Sequence, residues 1–595
     1  MIRPRALLLL PALLALPRCG PAGPVRAEAA ADDTITFAPG WDFPRGRIAP
    51  VLASRGMVVS TDRVASEVGA EILRRNGNAV DAAVATHFAL AVVNPEAGNI
   101  GGGGFLVVRM KDGTTASLDF REMAPMAATA DMFLDSLGNV SDSLSLIGHQ
   151  AAGVPGSVAG MWEAHRRFGS LPWATLLEPA INLADGLVVH ERLAYSLRTM
   201  EDRLKLFPAT SAIFLPNGTP PRVGDRLVQA DLAATLRRIA AEGADGFYRG
   251  RTAELVEAEM RRGGGIMTAA DLGRYRAVWR DPIQFGYRGH QVISMPPPSS
   301  GGATMAELLN ILEGYDLRRM GYLSAEHAHL FTEAARRAYA DRNTYLGDPD
   351  FVQMPLARMT SDAYAAERRR TIRRDRATPS AEVTPGLGAA DEGEHTTHYS
   401  IVDGTGNAVA VTTTLNSLYG NLVTVAGAGF LLNNEMDDFT SKPGVPNQFG
   451  LVQGRANAIA PGKRMLSAMT PTIVLDPTGR VLLVTGTPGG STIITSVAQV
   501  VSNVVDFRMD VATATLAPRL HHQHLPDTLR YERGGLTAAT AQRLRGMGHN
   551  VAERQGFQGD ENSIVILPSG YQSGVADPRR GGAAVGVGEV RRVVQ

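Results

Sequence analysis

The sequence predicts an α/β protein in which helices and strands are stacked in layers. Two patterns lead to this prediction. Up to about residue 350, apolar residues recur at helical spacing in alanine-rich runs. After residue 395, short β-branched runs bounded by glycine and proline predominate, as they do in strands. Because strands and helices segregate along the chain, stacked layers of sheet and helix are the favoured arrangement.

The predicted elements follow in chain order. Helices are expected at residues 64–75, 79–93 and 303–313, with a strand at 105–110. Further along, strands are expected at 397–402, 408–415, 472–475 and 481–485, and a helix at 491–505. Between the two halves, about 365–395, a basic stretch runs into a segment rich in proline, glycine and acidic residues. We expect this connection to be exposed.

Composition excludes several classes of partner. Lys plus Arg and Asp plus Glu both number 59, so the formal net charge is zero. No long-range field is available to attract nucleic acid or an anionic membrane. The 64 glycines and 35 prolines, with 6% aromatic residues and no internal repeat, are typical of a turn-rich globular protein.

The N-terminal residues have the layout of a secretory signal peptide. Arg3 and Arg5 precede an apolar run at 6–16, which is too short to span a bilayer. We predict a signal peptide over residues 1–27 and an exported protein, periplasmic or secreted, with no transmembrane span. Cleavage beyond Cys19 would leave a mature protein without cysteine; lipid attachment at Cys19 is the alternative.

A predicted hairpin spans residues 396–416. The turn is assigned to residues 404–407, and Asp403 is paired with Ala408. In that antiparallel register Thr396 lies opposite Leu415.

Thr396 is a candidate nucleophile because Thr414 and Asn416 flank the position opposite it. A cut between His395 and Thr396 would give a strand that begins with a threonine, whose α-amine is a ready base for its own hydroxyl. The alternative is that these threonines are simply good strand formers.

Charged side chains predict a site for a zwitterion. Glu435 and Asp438, three residues apart in an apolar frame, suit a substrate ammonium, and Arg121 at the end of a strand suits a carboxylate. Solvated acids in a turn, or a metal site built from oxygen ligands, are the alternatives for the acidic pair.

The segment 485–491 reads as a strand, the sequence T-G-T-P-G-G-S and the start of a helix. Main-chain N–H groups at Gly489 and Gly490 could therefore form an oxyanion hole. A phosphate site or a tight turn is also compatible with the pattern, but the sequence lacks the lysine of a Walker motif. We assign no metal to the histidines at 521, 522 and 524.

Six motifs in order resemble γ-glutamyltransferases, over about residues 56–578. They are N-P-x-x-G-N-I-G-G-G-G-F from Asn94, D-F-R-E-M-A-P from Asp119, T-T-H-Y-S from Thr396, L-N-N-E-M-D-D-F, P-G-V-P-N and T-P-G-G-S. The resemblance implies an N-terminal-nucleophile hydrolase, a four-layer αββα sandwich. It also implies a large subunit, 28–395, and a small subunit, 396–595, that begins with the nucleophile.

The resemblance further implies a role for each matching residue and no cofactor. Thr396 is the nucleophile of self-cleavage and catalysis, and Thr414 hydrogen-bonds to it. The other implied roles are binding of the α-carboxylate by Arg121 and Ser467, binding of the α-amine by Asn416, Glu435 and Asp438, and oxyanion stabilisation by Gly489 and Gly490. The implied substrates are γ-glutamyl amides such as glutathione, with water, amino acids or peptides as acceptors.

Three positions depart from the family pattern. Ala468 replaces a second serine after Ser467, Phe449 replaces a tyrosine that can latch a lid, and Glu435 replaces a glutamine of some relatives. We expect weaker carboxylate binding, an altered lid and stronger ammonium binding. An acylase for glutaryl-type side chains and an exported amino-acid-binding protein that remains uncut are the rival functions.

Overall fold

The computed structural model describes residues 35–384, 396–442, 445, 448 and 454–592. Predictions about the signal peptide (1–27) with Cys19, about His395 and about Phe449 lie outside the described residues. None of the described helices has both the length and the apolar character needed to cross a membrane.

The strands of the described residues were numbered in chain order. They are β1 (Val51–Ala53), β2 (Gly56–Ser60), β3 (Gly103–Arg109), β4 (Thr115–Phe120), β5 (Leu187–Val188), β6 (Arg226–Leu227), β7 (Val278–Arg280), β8 (Ile283–Tyr287), β9 (His290–Ser294), β10 (Thr397–Asp403), β11 (Ala408–Thr414), β12 (Thr472–Leu475), β13 (Val481–Thr485), β14 (Leu520–His521), β15 (Leu529–Glu532), β16 (Val551–Arg554), β17 (Asn562–Ile566), β18 (Gln572–Ala576), β19 (Ala583–Gly586) and β20 (Val590–Arg592).

The α-helices were numbered in the same way. They are α1 (Arg63–Arg74), α2 (Ala79–Val93), α3 (Asp142–Leu146), α4 (Ser157–Phe168), α5 (Trp173–Ala184), α6 (Glu191–Thr199), α7 (Glu201–Leu204), α8 (Pro208–Phe214), α9 (Ala230–Glu242), α10 (Asp245–Tyr248), α11 (Gly250–Gly263), α12 (Ala269–Arg274), α13 (Gly301–Leu312), α14 (Leu317–Met320), α15 (Ala325–Tyr345), α16 (Leu356–Met359), α17 (Asp362–Arg369), α18 (Thr492–Val505), α19 (Val511–Leu516) and α20 (Ala538–Gly546). Short 3₁₀ turns occur at His149–Ala151, Pro216–Gly218, Glu435–Asp438 and Arg455–Asn457.

Two antiparallel sheets form the centre of the fold. One has the strand order β20-β1-β18-β17-β13-β12-β9-β8, and the other has the order β19-β2-β10-β11-β3-β4-β7. Both sheets combine strands from the two halves of the chain. Consequently β10, which follows Thr396, is central in the seven-stranded sheet, between β2 and β11.

The sheets are stacked, and helices cover their outer faces. Along β2, Val58 packs into the core that includes α1 and α2, whereas Met57 and Val59 pack against the eight-stranded sheet. Helices α13, α18 and α19 cover the far side of that sheet. The order helix, sheet, sheet, helix confirms the predicted four-layer αββα sandwich.

The local predictions were accurate where periodicity was strong. The segments 79–93, 472–475 and 481–485 match the observed bounds, and the other predicted elements differ by one or two residues at an end. Helix α2 is buried along its whole length, and Asn78 and Asp81 form a capping box at its start. Such all-round burial matches its all-round apolar sequence.

Most of the described part of the predicted connection before Thr396 is exposed, as expected. Thr378, Ser380 and Val383 are buried. Asp527 accepts a hydrogen bond from the Ser380 N–H at 2.7 Å, and His524 Nε2 lies 2.9 Å from the Ser380 carbonyl oxygen. The prediction was wrong at these three positions, because polar partners distant in sequence allow residues in a segment with few apolar side chains to be buried.

Candidate active site

The β10–β11 hairpin has a register one residue away from the prediction. Val402, not Asp403, pairs with Ala408. Gly406 adopts φ = +95° in a three-residue loop, and the Asp403 N–H donates to the Asn407 carbonyl at 3.0 Å. The Asp403 carboxylate accepts from the Asn407 N–H at 3.1 Å. These bonds hold Asp403 opposite Asn407, so the predicted pairing was wrong.

The observed register brings Thr396 and Thr414 together. Thr397 pairs with Thr413, so one further step along the ladder places Thr396 opposite Thr414, and not opposite Leu415. Residues that face each other in an antiparallel pair point to the same side of the sheet. The two hydroxyl groups therefore share one face, and both side chains are buried.

Asn416 turns the chain immediately after the hairpin. Its backbone has φ = +74°, a conformation that asparagine tolerates better than most residues. The Asn416 N–H donates to Thr414 Oγ1 at 2.8 Å, and its side-chain amide donates to the Asn434 carbonyl at 3.1 Å. The end of β11 is thus joined to the chain that leads into the 3₁₀ turn Glu435–Asp438.

One buried cavity gathers the predicted residues. Those that line it are Arg121, Thr396, Thr414, Asn416, Glu435, Asp438, Ser467 and Gly490, together with Ala468, Met469 and Ile493. The cavity volume is about 20 Å³, which is room for one or two water molecules. Side chains from both sides of residue 396 therefore meet at Thr396.

Arg121 lies at the centre of a buried ion-pair cluster. It follows strand β4, and its guanidinium donates to the carboxylates of Glu435 and Asp438. Its Nε donates to the Met465 carbonyl at 3.2 Å, and Nη2 to the Leu466 carbonyl at 3.3 Å. The fold thus brings together the three charged residues that the sequence assigned to a zwitterionic ligand.

Glu122 is a member of this cluster to which the sequence analysis gave no role. Its Oε2 lies 3.5 Å from Arg121 Nη1, and its side chain is fully buried. Strand alternation would point Glu122 away from its neighbour Arg121, but β4 ends at Phe120 and the alternation ends with it. Its place in the D-F-R-E motif was the one signal in the sequence.

The three carboxyl groups respond to burial in the same direction. Burial raises the pKa of Glu435 well above its usual range, raises that of Asp438, and raises that of Glu122 to about 7, although Arg121 opposes each shift. For Arg121, burial disfavours the charge, but the carboxylates outweigh it and raise the pKa. Three acids facing one guanidinium favour a second cation, such as an ammonium group.

Gly489 and Gly490 lie in the loop between the end of β13 and the start of α18. Gly490 lines the cavity with φ = +55°, and Gly489, adjacent to it, has φ = +135°. The Gly489 carbonyl accepts from the N–H and hydroxyl of Thr492 at 3.1 and 2.7 Å. Among the described residues, neither glycine N–H donates to a protein acceptor. Two such donors beside a nucleophile are what an oxyanion hole requires.

Comparison with known proteins decides the family. A family profile described as Gamma-glutamyltranspeptidase matches residues 65–587. The chain belongs to the γ-glutamyltranspeptidase family. It is 50% identical over 532 residues to the glutathione hydrolase proenzyme of Escherichia coli K12, which covers 89% of this chain and 91% of the relative. The protein is therefore an enzyme of this family.

Solved structures of γ-glutamyltranspeptidases and acylases share the fold. The cephalosporin acylase of Bacillus halodurans is 29% identical, with a TM-score of 0.82, covering 92% of this chain and 98% of that one. A chain of the Helicobacter pylori γ-glutamyltranspeptidase is 46% identical, with a TM-score of 0.54, covering 55% of this chain and 94% of that one. Fold alone does not separate the two activities, so the site must do so.

Two of the departures from the γ-glutamyltranspeptidase pattern can be located in the site. Ser467 Oγ accepts from the Met469 N–H at 3.2 Å, and Ala468 lines the cavity beside it without a hydroxyl. Glu435 contacts one side of the Arg121 guanidinium with a carboxyl group. Compared with a serine pair and a glutamine, this cavity has one hydroxyl group fewer and one ionisable group more.

Proposed function

We propose that the chain is a self-processing γ-glutamyltransferase and glutathione hydrolase. Cleavage between His395 and Thr396 would yield a large subunit, 28–395, and a small subunit, 396–595. The observation that carries this proposal is that Thr396 lies in one buried cavity with Arg121, Glu435 and Asp438. A threonine at that junction gains an α-amine on cleavage and becomes a nucleophile with its own base.

The chemistry follows from this arrangement. The α-amine of Thr396 takes the proton of its hydroxyl as Oγ1 attacks the carbonyl carbon of a γ-glutamyl amide. The N–H groups of Gly489 and Gly490 stabilise the oxyanion, and Thr414 orients the nucleophile. The C–N bond breaks, the departing amine takes the proton, and a γ-glutamyl ester remains. Attack by water or by the amine of an amino acid or peptide releases Thr396.

Charge explains why the substrate carries a glutamyl group. A zwitterionic end can exchange partners with the cluster: its carboxylate replaces a carboxylate at Arg121, assisted by Ser467, and its ammonium pairs with the acids displaced. Asn416, Glu435 and Asp438 are the groups that receive the ammonium. Because each buried charge keeps a partner, binding avoids the cost of an isolated ion.

We further propose that the protein is exported, to the periplasm or outside the cell, after removal of residues 1–27. The basic and apolar pattern of these residues supports this. Its partners are then small γ-glutamyl substrates and amine acceptors. The formal net charge of zero argues against nucleic acid.

A pair of substrates separates this function from that of an acylase. A γ-glutamyl anilide and the matching glutaryl anilide differ only in the α-amine. We expect kcat/KM to be at least about 100-fold higher for the γ-glutamyl compound, since an unpaired buried carboxylate penalises the analogue. Equal kcat/KM values would reject the transferase in favour of the acylase. Binding without turnover by an uncut chain would indicate a binding protein.

A further inference from the structure

Asn562 joins the strand that follows Thr396 to the strand that leads into the glycine loop. Its main-chain N–H donates to the Gly486 carbonyl at 3.2 Å, which continues the ladder between β17 and β13. Its side-chain amide donates to the His398 carbonyl at 3.1 Å. The two carbonyl groups belong to different sheets, so a single fully buried residue spans the gap between the layers.

The hydrogen bond to His398 is made on the side of β10 that faces β2, where the ladder between these two strands has ended. Strand β2 pairs with β10 only as far as Tyr399. The amide of Asn562 supplies a donor to the next carbonyl toward Thr396. It also donates to the Asp560 carbonyl at 3.1 Å, which fixes the orientation of the amide. The contact therefore lies two residues from Thr396, the proposed nucleophile. It restrains the end of β10 that carries this residue.

The His398 ring packs directly on Gly486. A methyl group added to Gly486 would come within 2.4 Å of the ring, so the ring is in close contact with the Gly486 backbone. Hydrogen bonds hold the ring at both nitrogens, to Thr412 Oγ1 at 2.8 Å and Ser400 Oγ at 3.0 Å. Spacing between the two strands is thus fixed by packing as well as by Asn562.

The residues before Asn562 form a support beneath the glycine loop. The Asp560 N–H donates to Thr487 Oγ1 at 2.7 Å. A Cβ at Gly559, where φ is +72°, would lie 2.5 Å from Thr487 Oγ1 and 3.3 Å from the Pro488 carbonyl oxygen. The segment 559–562 therefore contacts the loop at two points just before Gly489 and Gly490.

We propose that Asn562 is a positioning residue that sets the distance between Thr396 and the N–H groups of Gly489 and Gly490. The proposal rests on the function proposed above. Asn562 does not line the cavity and acts through the two backbones that it joins. Because the oxyanion forms only during the reaction, a change in this spacing affects kcat and leaves KM nearly unchanged. A displacement of about 1 Å lowers the rate by about 100-fold.

The test compares two substitutions that remove the same kind of bond at opposite ends of β10. Asn562→Leu removes the donor to His398. The matched control, Gln572→Leu, removes a side-chain donor to the Asp403 carbonyl (3.1 Å), also between the sheets but at the far end of the strand. We expect both variants to lose a similar amount of thermal stability. Only Asn562→Leu should have a kcat at least about tenfold below that of the unmodified enzyme, with slower self-cleavage. Its KM should stay within about twofold of the unmodified value.

A second variant covers the case in which Asn562→Leu does not fold. Gly486→Ala keeps the hydrogen bond but presses a methyl group against the His398 ring, and the same loss of kcat is expected. Unchanged kcat in the folded variant, or an equal loss in Gln572→Leu, overturns the positioning role. Turnover by Thr396→Ala would instead reject the proposed function, so the two failures can be distinguished.

Discussion

At the scale of single residues, the three carboxyl groups around Arg121 give substrate binding a dependence on pH. The pKa of Glu122 is raised to about 7 because its carboxyl group is buried. An ammonium ligand favours the charged form of Glu122, which predominates above that pKa and is lost as the pH falls through it. The affinity for an α-amine should therefore weaken on the acid side.

Glu122→Gln tests this dependence with a neutral side chain of the same shape. In the unmodified enzyme, the ratio of kcat/KM between γ-glutamyl and glutaryl anilides should fall as pH drops below about 7, by up to about tenfold per unit. In Glu122→Gln the fall should move to lower pH. The ratio cancels titration of the Thr396 amine, which both substrates share.

A control substitution assigns the effect to the carboxyl groups around Arg121. Glu307 is also buried, and burial raises its pKa well above the usual range, but it lies on α13 and pairs with Arg368, not with Arg121. Glu307→Gln should leave the pH profile of the ratio unchanged. A ratio independent of pH in the unmodified enzyme would contradict the assigned role of the acidic cluster.

Sequence reasoning identified most of the charged cluster around Arg121 but not all of it. Arg121, Glu435 and Asp438 could be predicted because a guanidinium and paired acids have recognisable chemistry. Glu122 could not, since its contact with the guanidinium depends on how the chain turns after β4. The residue opposite Thr396 was predicted as Leu415, one position away from the observed Thr414. The error arose because hydrogen bonds to the Asp403 carboxylate determine the length of the hairpin loop.

At the scale of elements, burial keeps His522, His524 and His549 neutral, and His524 contacts the chain at Ser380 and Val383. Burial lowers the pKa of His522 and of His549 to about 3, and that of His524 below its usual value. His524 contacts the Ser380 carbonyl, and His549 Nε2 lies 2.7 Å from His329 Nδ1. Unfolding exposes these histidines, which then bind protons with the ordinary histidine pKa of about 6.5.

The chain should therefore lose stability as the pH falls below about 6.5. The unfolded state takes up protons there, whereas His522 and His549 in the folded state do not until about pH 3. Each of these two histidines therefore contributes up to about 1.4 kcal/mol per pH unit to the loss. His549→Gln keeps a polar contact and removes one proton site. The measurement is the urea midpoint at pH 7 and pH 5, whose difference should be smaller in this variant.

His290→Gln, on strand β9 and away from residues 378–383, provides the matched control. It should show the same difference in midpoint as the unmodified chain. An unfolding midpoint that is the same at pH 7 and pH 5 would contradict the idea that burial keeps these histidines neutral. The sequence could not predict the buried positions 378, 380 and 383, because the composition around them is that of an exposed linker and their partners are distant in sequence.

At the scale of the whole molecule, periodicity located individual helices and strands, but the four layers came from the resemblance to a family. Strand order depends on pairings between distant residues, such as that of Ala408–Thr414 with Gly103–Arg109. No local pattern specifies such a pairing. The same long-range pairing brings Arg121, from one predicted subunit, beside Thr396, the first residue of the other.

The most direct test of the account is the intact mass of the purified protein beside that of Thr396→Ala. Self-cleavage before Thr396 predicts two fragments, the smaller of which matches residues 396–595, and a single uncut chain in the variant. A single uncut chain in both proteins, or the same two fragments in both, would contradict the claim that Thr396 cuts its own chain to become the nucleophile.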